Sequence, residues 1–324
     1  MDTVIEFSDV TRKYSSRTLT GQKRETIALD RISFQVPKGI VFGLLGPNGA
    51  GKTTTIRVLS TLLIPDSGKA TVAGYDVVKE ASKVRRKISL ILGGERGLYG
   101  RLTGKENLRY FAALNHLSPS LTNSRINEML DKVGLSSASD RPVEQYSRGM
   151  RQRLHVARGL LSDPEIIFMD EPTMGLDPVG AQELRQMVPE LTSQGKTILL
   201  TTHYMSEADE LSDRVAIIDK GRIIASGTPS EIKRQFSKIT VMEVLYRRTG
   251  AQMLDSLNAI SGVERINTSS DGPIHKLTIH TRPDAQIKEE VERILESDNI
   301  DSIITRDPTL EEAYLSIFGK MKQS

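Results

Sequence analysis

The sequence predicts an α/β protein with a mostly parallel sheet, followed by a small α+β domain. Over residues 2–236, short apolar runs alternate with helical patterns, which is typical of parallel strands joined by helices. One of these apolar runs ends in a glycine-rich turn, as expected of a buried parallel strand. Over residues 238–324 the order changes to βαββαβ, which is the pattern of a ferredoxin-like module.

Apolar runs and helical spacing place the elements of the first domain in chain order. The predicted strands are 4–7, 32–36, 41–45, 166–169 and 197–202. The predicted helices are 53–63, 104–118, 123–133, 148–161 and 179–194. The polar stretch 15–25 is predicted to be an exposed loop because it lacks apolar residues that alternate or recur.

The same patterns place the elements of the second domain. The predicted strands are 239–246, 263–268, 274–280 and 299–305, and the predicted helices are 250–258, 284–297 and 309–318. We therefore expect two domains, 2–236 and 238–324, which agrees with about 150 residues per domain in a chain of 324 residues.

The composition excludes several classes of function. The 44 Lys and Arg residues nearly balance 41 Asp and Glu residues, so nucleic acid is not expected as a partner. The absence of Cys excludes disulfides, Cys-ligated zinc, iron–sulfur clusters and thiol catalysis. No apolar run approaches the roughly 20 residues of a membrane-spanning helix, and the acidic N-terminus is unlike a signal peptide.

A phosphate-binding loop is the strongest motif in the chain. The segment Gly46-Pro47-Asn48-Gly49-Ala50-Gly51-Lys52-Thr53 fits the pattern G-x-x-x-x-G-K-[ST] between a predicted strand and a predicted helix. Its glycines let backbone N–H groups converge on phosphate oxygens, and we expect Thr54 to join this loop in binding nucleotide. Lys52 can reach the β- and γ-phosphates, and the Thr53 hydroxyl can ligate Mg²⁺. The alternative is a glycine-rich turn without a ligand.

Two acids end the predicted strand 166–169. Asp170 and Glu171 therefore stand at the carboxyl end of a parallel strand, where α/β sheets bind ligands. Asp170 can hold Mg²⁺, and Glu171 can polarise an attacking water as general base. The alternative is an acidic strand end or helix cap.

Together these residues resemble the ATP-binding cassette (ABC) family of P-loop NTPases. The segment Tyr146-Ser147-Arg148-Gly149-Met150 is similar to the family's signature L-S-G-G-Q, with Ser147 and Gly149 retained. The resemblance implies an ABC nucleotide-binding domain with a helical subdomain at about residues 95–162. It also implies that Ser147 and Gly149 contact the γ-phosphate held by the opposite subunit of a dimer. Taken alone, S-x-G is a weak signal that favours a simple helix cap.

Three further positions match the family. Asp177, in the segment 174–178, resembles the D-loop that passes between the two nucleotide sites of the dimer. His203 resembles the switch histidine that contacts the γ-phosphate, and Tyr14 resembles the aromatic residue that stacks on adenine. A structural histidine and a packing tyrosine are the alternatives for the last two positions.

One position departs from the family. Gly94 stands where the family usually has a Gln that contacts Mg²⁺ or the attacking water, and Glu95 follows it. Either Glu95 takes over that role as a magnesium ligand, or it is exposed to solvent or paired with Arg96.

The resemblance implies the ATP-binding and hydrolysing subunit of a bacterial exporter, with ATP and Mg²⁺ as cofactors. The expected partners are separate integral membrane subunits and, when ATP is bound, a second copy of this chain. The expected location is the cytoplasmic face of the cell membrane, and the expected substrate is a drug, antibiotic, lipid or polysaccharide. The alternatives are a soluble ABC protein that acts on ribosomes or DNA, an importer ATPase and a cofactor-assembly ATPase.

Overall fold

A computed structural model describes residues 2–17, 23–93, 97–236, 239–247, 253–271, 274–282, 285, 287–296 and 299–321. The chain forms two compact units, Met1–Thr228 and Pro229–Ser324. The domain limits 2–236 and 238–324 remain a prediction from the sequence. None of the helices in these described ranges is long and apolar enough to cross a membrane.

The main sheet of the first unit has six strands in the order β10-β9-β3-β8-β7-β6. These strands are β3 (Val41–Leu45), β6 (Ile88–Leu92), β7 (Ile166–Asp170), β8 (Thr197–Thr202), β9 (Arg214–Asp219) and β10 (Arg222–Gly227). All pairs are parallel except β9 with β10. Every residue of β3, β7 and β8 is buried, because one face of the sheet packs against helices and the other against a helix and a second, antiparallel sheet.

A second sheet of this unit is antiparallel, in the order β2-β1-β4-β5. Its strands are β1 (Thr3–Arg17), β2 (Lys23–Pro37), β4 (Ser67–Val72) and β5 (Tyr75–Asp76). The predicted loop 15–25 is wrong at both ends, since Ser15 pairs with Glu25 and Arg17 with Lys23. This end of the ribbon is polar and exposed where its side chains are described, so cross-strand pairing holds it without an apolar face.

Helices connect the strands and form a separate helical layer. They are α1 (Lys52–Leu59), α2 (Ala81–Arg85), α3 (Gly104–Leu114), α4 (Pro119–Lys132), α5 (Arg148–Leu160), α6 (Pro178–Ser193) and α7 (Met205–Leu211). A capping box between Thr103 and Glu106 begins α3. Leu108, Met129 and Leu154, one from each of α3, α4 and α5, belong to one buried cluster. This three-helix layer lies within residues 95–162, where the sequence predicts a helical subdomain.

The second unit contains a four-stranded antiparallel sheet in the order β12-β13-β11-β14. Its elements are α8 (Pro229–Phe236), β11 (Thr240–Tyr246), α9 (Met253–Asn258), β12 (Val263–Asp271), β13 (Ile274–Thr281), α10 (Lys288–Leu295), β14 (Ile300–Arg306) and α11 (Leu310–Met321). The buried residues Val244, Leu257, Leu277 and Val291 join the sheet to α9 and α10. The order and pairing are those of the predicted ferredoxin-like module.

Candidate functional site

The phosphate-binding loop connects β3 to α1, as the sequence predicts. Gly51 precedes the helix with a φ of 117°, which a residue with a side chain rarely adopts. A Cβ on Gly46 would lie 2.1 Å from the carbonyl oxygen of Ile218, so the loop passes directly against β9. Both positions therefore require glycine, and the loop takes a fixed path into the N-terminus of α1.

The Lys52 side chain is buried in this loop, where it is only 5% exposed, and it makes several polar contacts. Its Nζ donates to the carbonyl oxygens of Gly46 at 2.6 Å and Pro47 at 3.2 Å. It also forms an ion pair with Oε1 of Glu171 at 3.1 Å. The ammonium group is therefore directed into the loop, where a phosphate group would lie.

Asp170 lies at the end of β7, beside the first turn of α1. Its Oδ1 accepts hydrogen bonds from the hydroxyls of Thr53 at 3.2 Å and Thr201 at 2.5 Å. The sequence predicts the pair Asp170 and Thr53 but does not identify Thr201. These oxygen atoms are the donor type that Mg²⁺ prefers.

Glu171 follows Asp170 in a left-handed backbone conformation, with a φ of 50°. Its N–H donates to the carbonyl oxygen and hydroxyl of Thr201, which hold this turn against β8. Its Oε2 contacts Nδ1 of His203, and its Oε1 contacts Lys52. A strained residue that is fixed by its neighbours often marks a functional site.

Lys52, Thr53 and Glu171 line a cleft of about 130 Å³. Its lining is Ala28, Pro47, Asn48, Gly49, Gly51, Lys52, Thr53, Thr54 and Glu171. Tyr14 does not line it, but β1 pairs Tyr14 with Thr26 in the same ribbon as Ala28. The Tyr14 ring is 38% exposed, and the guanidinium of Arg12 lies over it.

The signature segment lies at the start of α5, and its residues are not among those that line this cleft. The Ser147 hydroxyl accepts a hydrogen bond from the N–H of Met150 at 3.2 Å, so it caps the helix. Ser147 and Arg148 are exposed, and a Cβ on Gly149 would meet only ordinary contacts. Asp177 likewise caps α6, accepting from the N–H of Gly180 at 2.7 Å.

Gly94 and Glu95 lie outside the described residues. The segment on either side of them is held by α5, where Gln152 donates to the carbonyl oxygen of Leu92 and Arg158 donates to that of Gly97. Gln152 and Arg158 are not identified from the sequence. Residues six apart on an α-helix lie about 120° apart around its axis, so no helical periodicity marks these two as a pair.

The fold and the cleft define a P-loop nucleoside triphosphatase. A family model described as "ABC transporter" matches residues 29–174. The daunorubicin resistance ATP-binding protein DrrA3 of Streptomyces coeruleorubidus is 39% identical over 320 residues, covering 98% of this chain and 96% of that protein. The linearmycin resistance ATP-binding protein LnrL of Bacillus subtilis (strain 168) is 34% identical over 295 residues, covering 89% of this chain and 93% of that protein.

A solved structure described as the ATP-binding subunit of an ABC transporter has a TM-score of 0.61 and 31% identity, covering 72% of this chain and 93% of that chain. The chain belongs to the ABC transporter ATP-binding proteins. It is an ATPase subunit of a transporter, and such subunits dimerise and work with membrane subunits. The predicted family, fold class and activity are therefore confirmed.

Proposed function

We propose that this chain powers an exporter of drug-like or antibiotic compounds from the cytoplasmic face of the cell membrane. The names of DrrA3 and LnrL describe resistance to daunorubicin and linearmycin, and both proteins align with most of this chain. We infer that separate integral membrane subunits carry the compound. Neither relative's name points to ribosomes, DNA or import.

One observation supports the proposed chemistry above all others. Glu171 contacts both Lys52 and His203, so the proposed base lies between the phosphate-binding ammonium and the switch histidine. In this role Glu171 accepts a proton from the attacking water. Lys52 binds the β- and γ-phosphates, and His203 orients the carboxylate.

The residues also fit a magnesium ion. The hydroxyl of Thr53 and the carboxylate of Asp170 are hard oxygen donors, and they lie 3.2 Å apart at the edge of the loop. We assign the metal to these two residues, with water completing its coordination. When bound, Mg²⁺ would offset the negative charge of the phosphates.

We propose that two copies complete two nucleotide sites between them. Ser147 and Gly149 of one copy would meet the γ-phosphate bound by Lys52 of the other. The N-terminus of α5 is suited to an anion, because it carries the positive end of the helix dipole and begins at the exposed residues Ser147 and Arg148. Exposed Met174 and Val179 beside Asp177 give this face apolar surface for such a contact.

Glu171→Gln tests this proposal directly. The amide keeps the shape but does not act as a base, so ATP binding persists while hydrolysis slows by about a hundredfold or more. The variant should then form an ATP-dependent dimer in light scattering. Hydrolysis at the parent rate would rule out Glu171 as the base.

The transport function has its own test. Cells that produce the chain together with its membrane subunits should tolerate daunorubicin or linearmycin better than cells carrying Glu171→Gln. Equal sensitivity of the two strains to every exporter substrate class tested, with normal ATPase activity in vitro, would reject the proposed substrates.

A further inference from the structure

A buried carboxyl group lies behind the proposed catalytic residues. Glu207 is on α7 and is only 3% exposed. Neither of its carboxyl oxygens makes a hydrogen bond of ordinary geometry within the described part of the chain. An unsatisfied buried carboxyl group is costly, and a leucine of similar size would be more favourable at this position for stability alone. The group therefore calls for an explanation other than stability.

Two hydroxyl groups face this carboxyl. Thr202 is 1% exposed at the end of β8, and Thr173 is 8% exposed in the turn after Glu171. Both hydroxyls lie close enough to favour the ionised form of Glu207. The Thr202 oxygen already accepts a hydrogen bond from the N–H of Tyr204 at 3.0 Å, so its own proton is available for Glu207.

The surroundings of Glu207 shift the pKa of its carboxyl group in opposite directions. Burial is the largest influence and raises the pKa of the Glu207 carboxyl. Among charged neighbours, Arg185 of α6 lowers that pKa and Glu171 raises it. Strand β3, which also packs against α7, contributes only apolar residues and glycine. A protonated carboxyl can donate to one hydroxyl and accept from the other.

We propose that Glu207 is a positioning residue whose carboxyl bridges the hydroxyls of Thr173 and Thr202 as the nucleotide site closes. Through Thr173 it sets the turn that follows Glu171, and through Thr202 it sets the main chain before His203. Hydrogen bonds at catalytic sites often shorten only when the site closes around substrate. The inference rests on the proposed role of Glu171 as base.

The test compares Glu207→Leu with Glu207→Gln in the purified full chain. The leucine variant should melt at the parent temperature or above, but its kcat for ATP should fall about tenfold or more with KM unchanged. The glutamine variant should keep its rate within about threefold of the parent, since an amide can also donate and accept. Glu210→Leu, on the exposed side of the same helix, is the matched control and should leave the rate unchanged.

A second measurement does not depend on the leucine variant folding. Thr202→Val removes one hydroxyl of the bridge at nearly constant volume, so its kcat should fall about threefold or more with KM unchanged, and by a similar factor in the Glu207→Gln background, where the amide keeps the bridge. A Thr202→Val variant with the parent kcat would overturn the inference, as would a leucine variant that hydrolyses ATP at the parent rate. A glutamine variant as slow as the leucine variant would also overturn it, because ionisation would then matter more than the bridge.

Glu171→Gln in the same series separates this inference from the proposed function. If that variant is slow and Glu207→Leu is not, only the positioning role is wrong. If Glu171→Gln keeps the parent rate, the proposed base is wrong and the inference fails with it.

Discussion

The phosphate-binding loop and the signature segment differ in how far their side chains are held by other parts of the same chain. At the loop, Lys52 pairs with Glu171 and Thr53 with Asp170, so the first turn of α1 is joined to the end of β7. At the signature, the side chain of Ser147 caps its own helix. Both regions present helix N-termini and glycines, so both suit phosphate oxygens.

Under the proposed function, these two regions are unequal halves of one nucleotide site. The loop half is organised by contacts within one chain, so we expect it to bind nucleotide alone. The signature half presents exposed residues, Ser147 and Arg148, at the start of a helix. Under the proposed function, the second copy brings the nucleotide that this half meets, and hydrolysis requires both halves.

We expect the largest effect from removing Lys52, the side chain at the centre of the phosphate-binding loop. Lys52→Ala deletes an ammonium that is 5% exposed and directed into the loop. We expect ATP hydrolysis to fall below detection and ATP affinity to drop about tenfold or more. Isothermal titration and a phosphate-release assay measure both, with Lys79→Ala, at an exposed lysine, as control. Near-normal hydrolysis would show that the Lys52 ammonium is not needed to bind and cleave ATP.

A mixing experiment tests the other half. Gly149→Asp places a negative charge at the signature, and the space around Gly149 admits a Cβ without collision. Alone, this variant should bind ATP normally but hydrolyse it about tenfold or more slowly, because the aspartate repels the γ-phosphate of the partner. Mixed with Lys52→Ala, it should recover part of the parent rate, since each mixed dimer keeps one intact composite site.

The outcome without recovery would be equally clear. If dimers of the two variants form, as shown by light scattering, and no activity returns, the two halves do not combine between copies. The signature would then act within its own chain.

A smaller effect, on stability against pH, is expected from a buried histidine of α5. His155 is 1% exposed, and burial followed by the charge of Arg158 lowers its pKa from 6.5 to about 4. The unfolded chain therefore binds a proton that the folded chain rejects, so stability falls as the pH drops from about 6.5 towards 4. The loss from this group is at most roughly 3 kcal/mol.

Melting temperatures between about pH 7.5 and pH 5 measure this effect. His155→Leu should lose less stability on acidification than the parent, because its buried side chain cannot be protonated. His116→Asn, at an exposed histidine, should behave as the parent does. Equal acid sensitivity of the parent and His155→Leu would show that His155 is charged in the folded chain.

The smallest effect is expected from deleting residues 229–324. All the proposed nucleotide-binding residues precede Thr228, in a unit with its own buried clusters. ATP affinity of the truncated chain should therefore stay within about twofold of the parent. Complete loss of binding by a truncated chain with native circular dichroism would mean that the second unit helps to form the site.

Much of the site follows from the sequence because its residues stand at strand ends. The glycine pattern around Lys52 and the acids after β7 require only that parallel strands share a carboxyl edge. Thr201 and Glu207 escape prediction for opposite reasons. Thr201 looks like an ordinary strand residue, and Glu207 looks like an exposed helical acid, until the packing of α7 against β8 buries it.

The secondary structure likewise contains elements that the sequence predicts and elements that it does not. Apolar runs predict β3, β7 and β8, since those strands are buried on both faces. The ribbon end at residues 15–17 and 23–25 has the composition of a loop, because polarity alone does not distinguish a loop from a solvated hairpin. Short strands such as β5, with two residues, carry too little pattern to be recognised.

Under the proposed function, the contact between Lys52 and Glu171 would order the events of the catalytic cycle. The ammonium of Lys52 is held at 3.1 Å by the carboxylate that is the proposed base. A phosphate group that engages this lysine competes with Glu171 for it, and the carboxylate is thereby released to face water. Nucleotide binding and activation of the base are then a single event. Hydrolysis becomes possible only after a nucleotide phosphate has replaced Glu171 as the partner of Lys52.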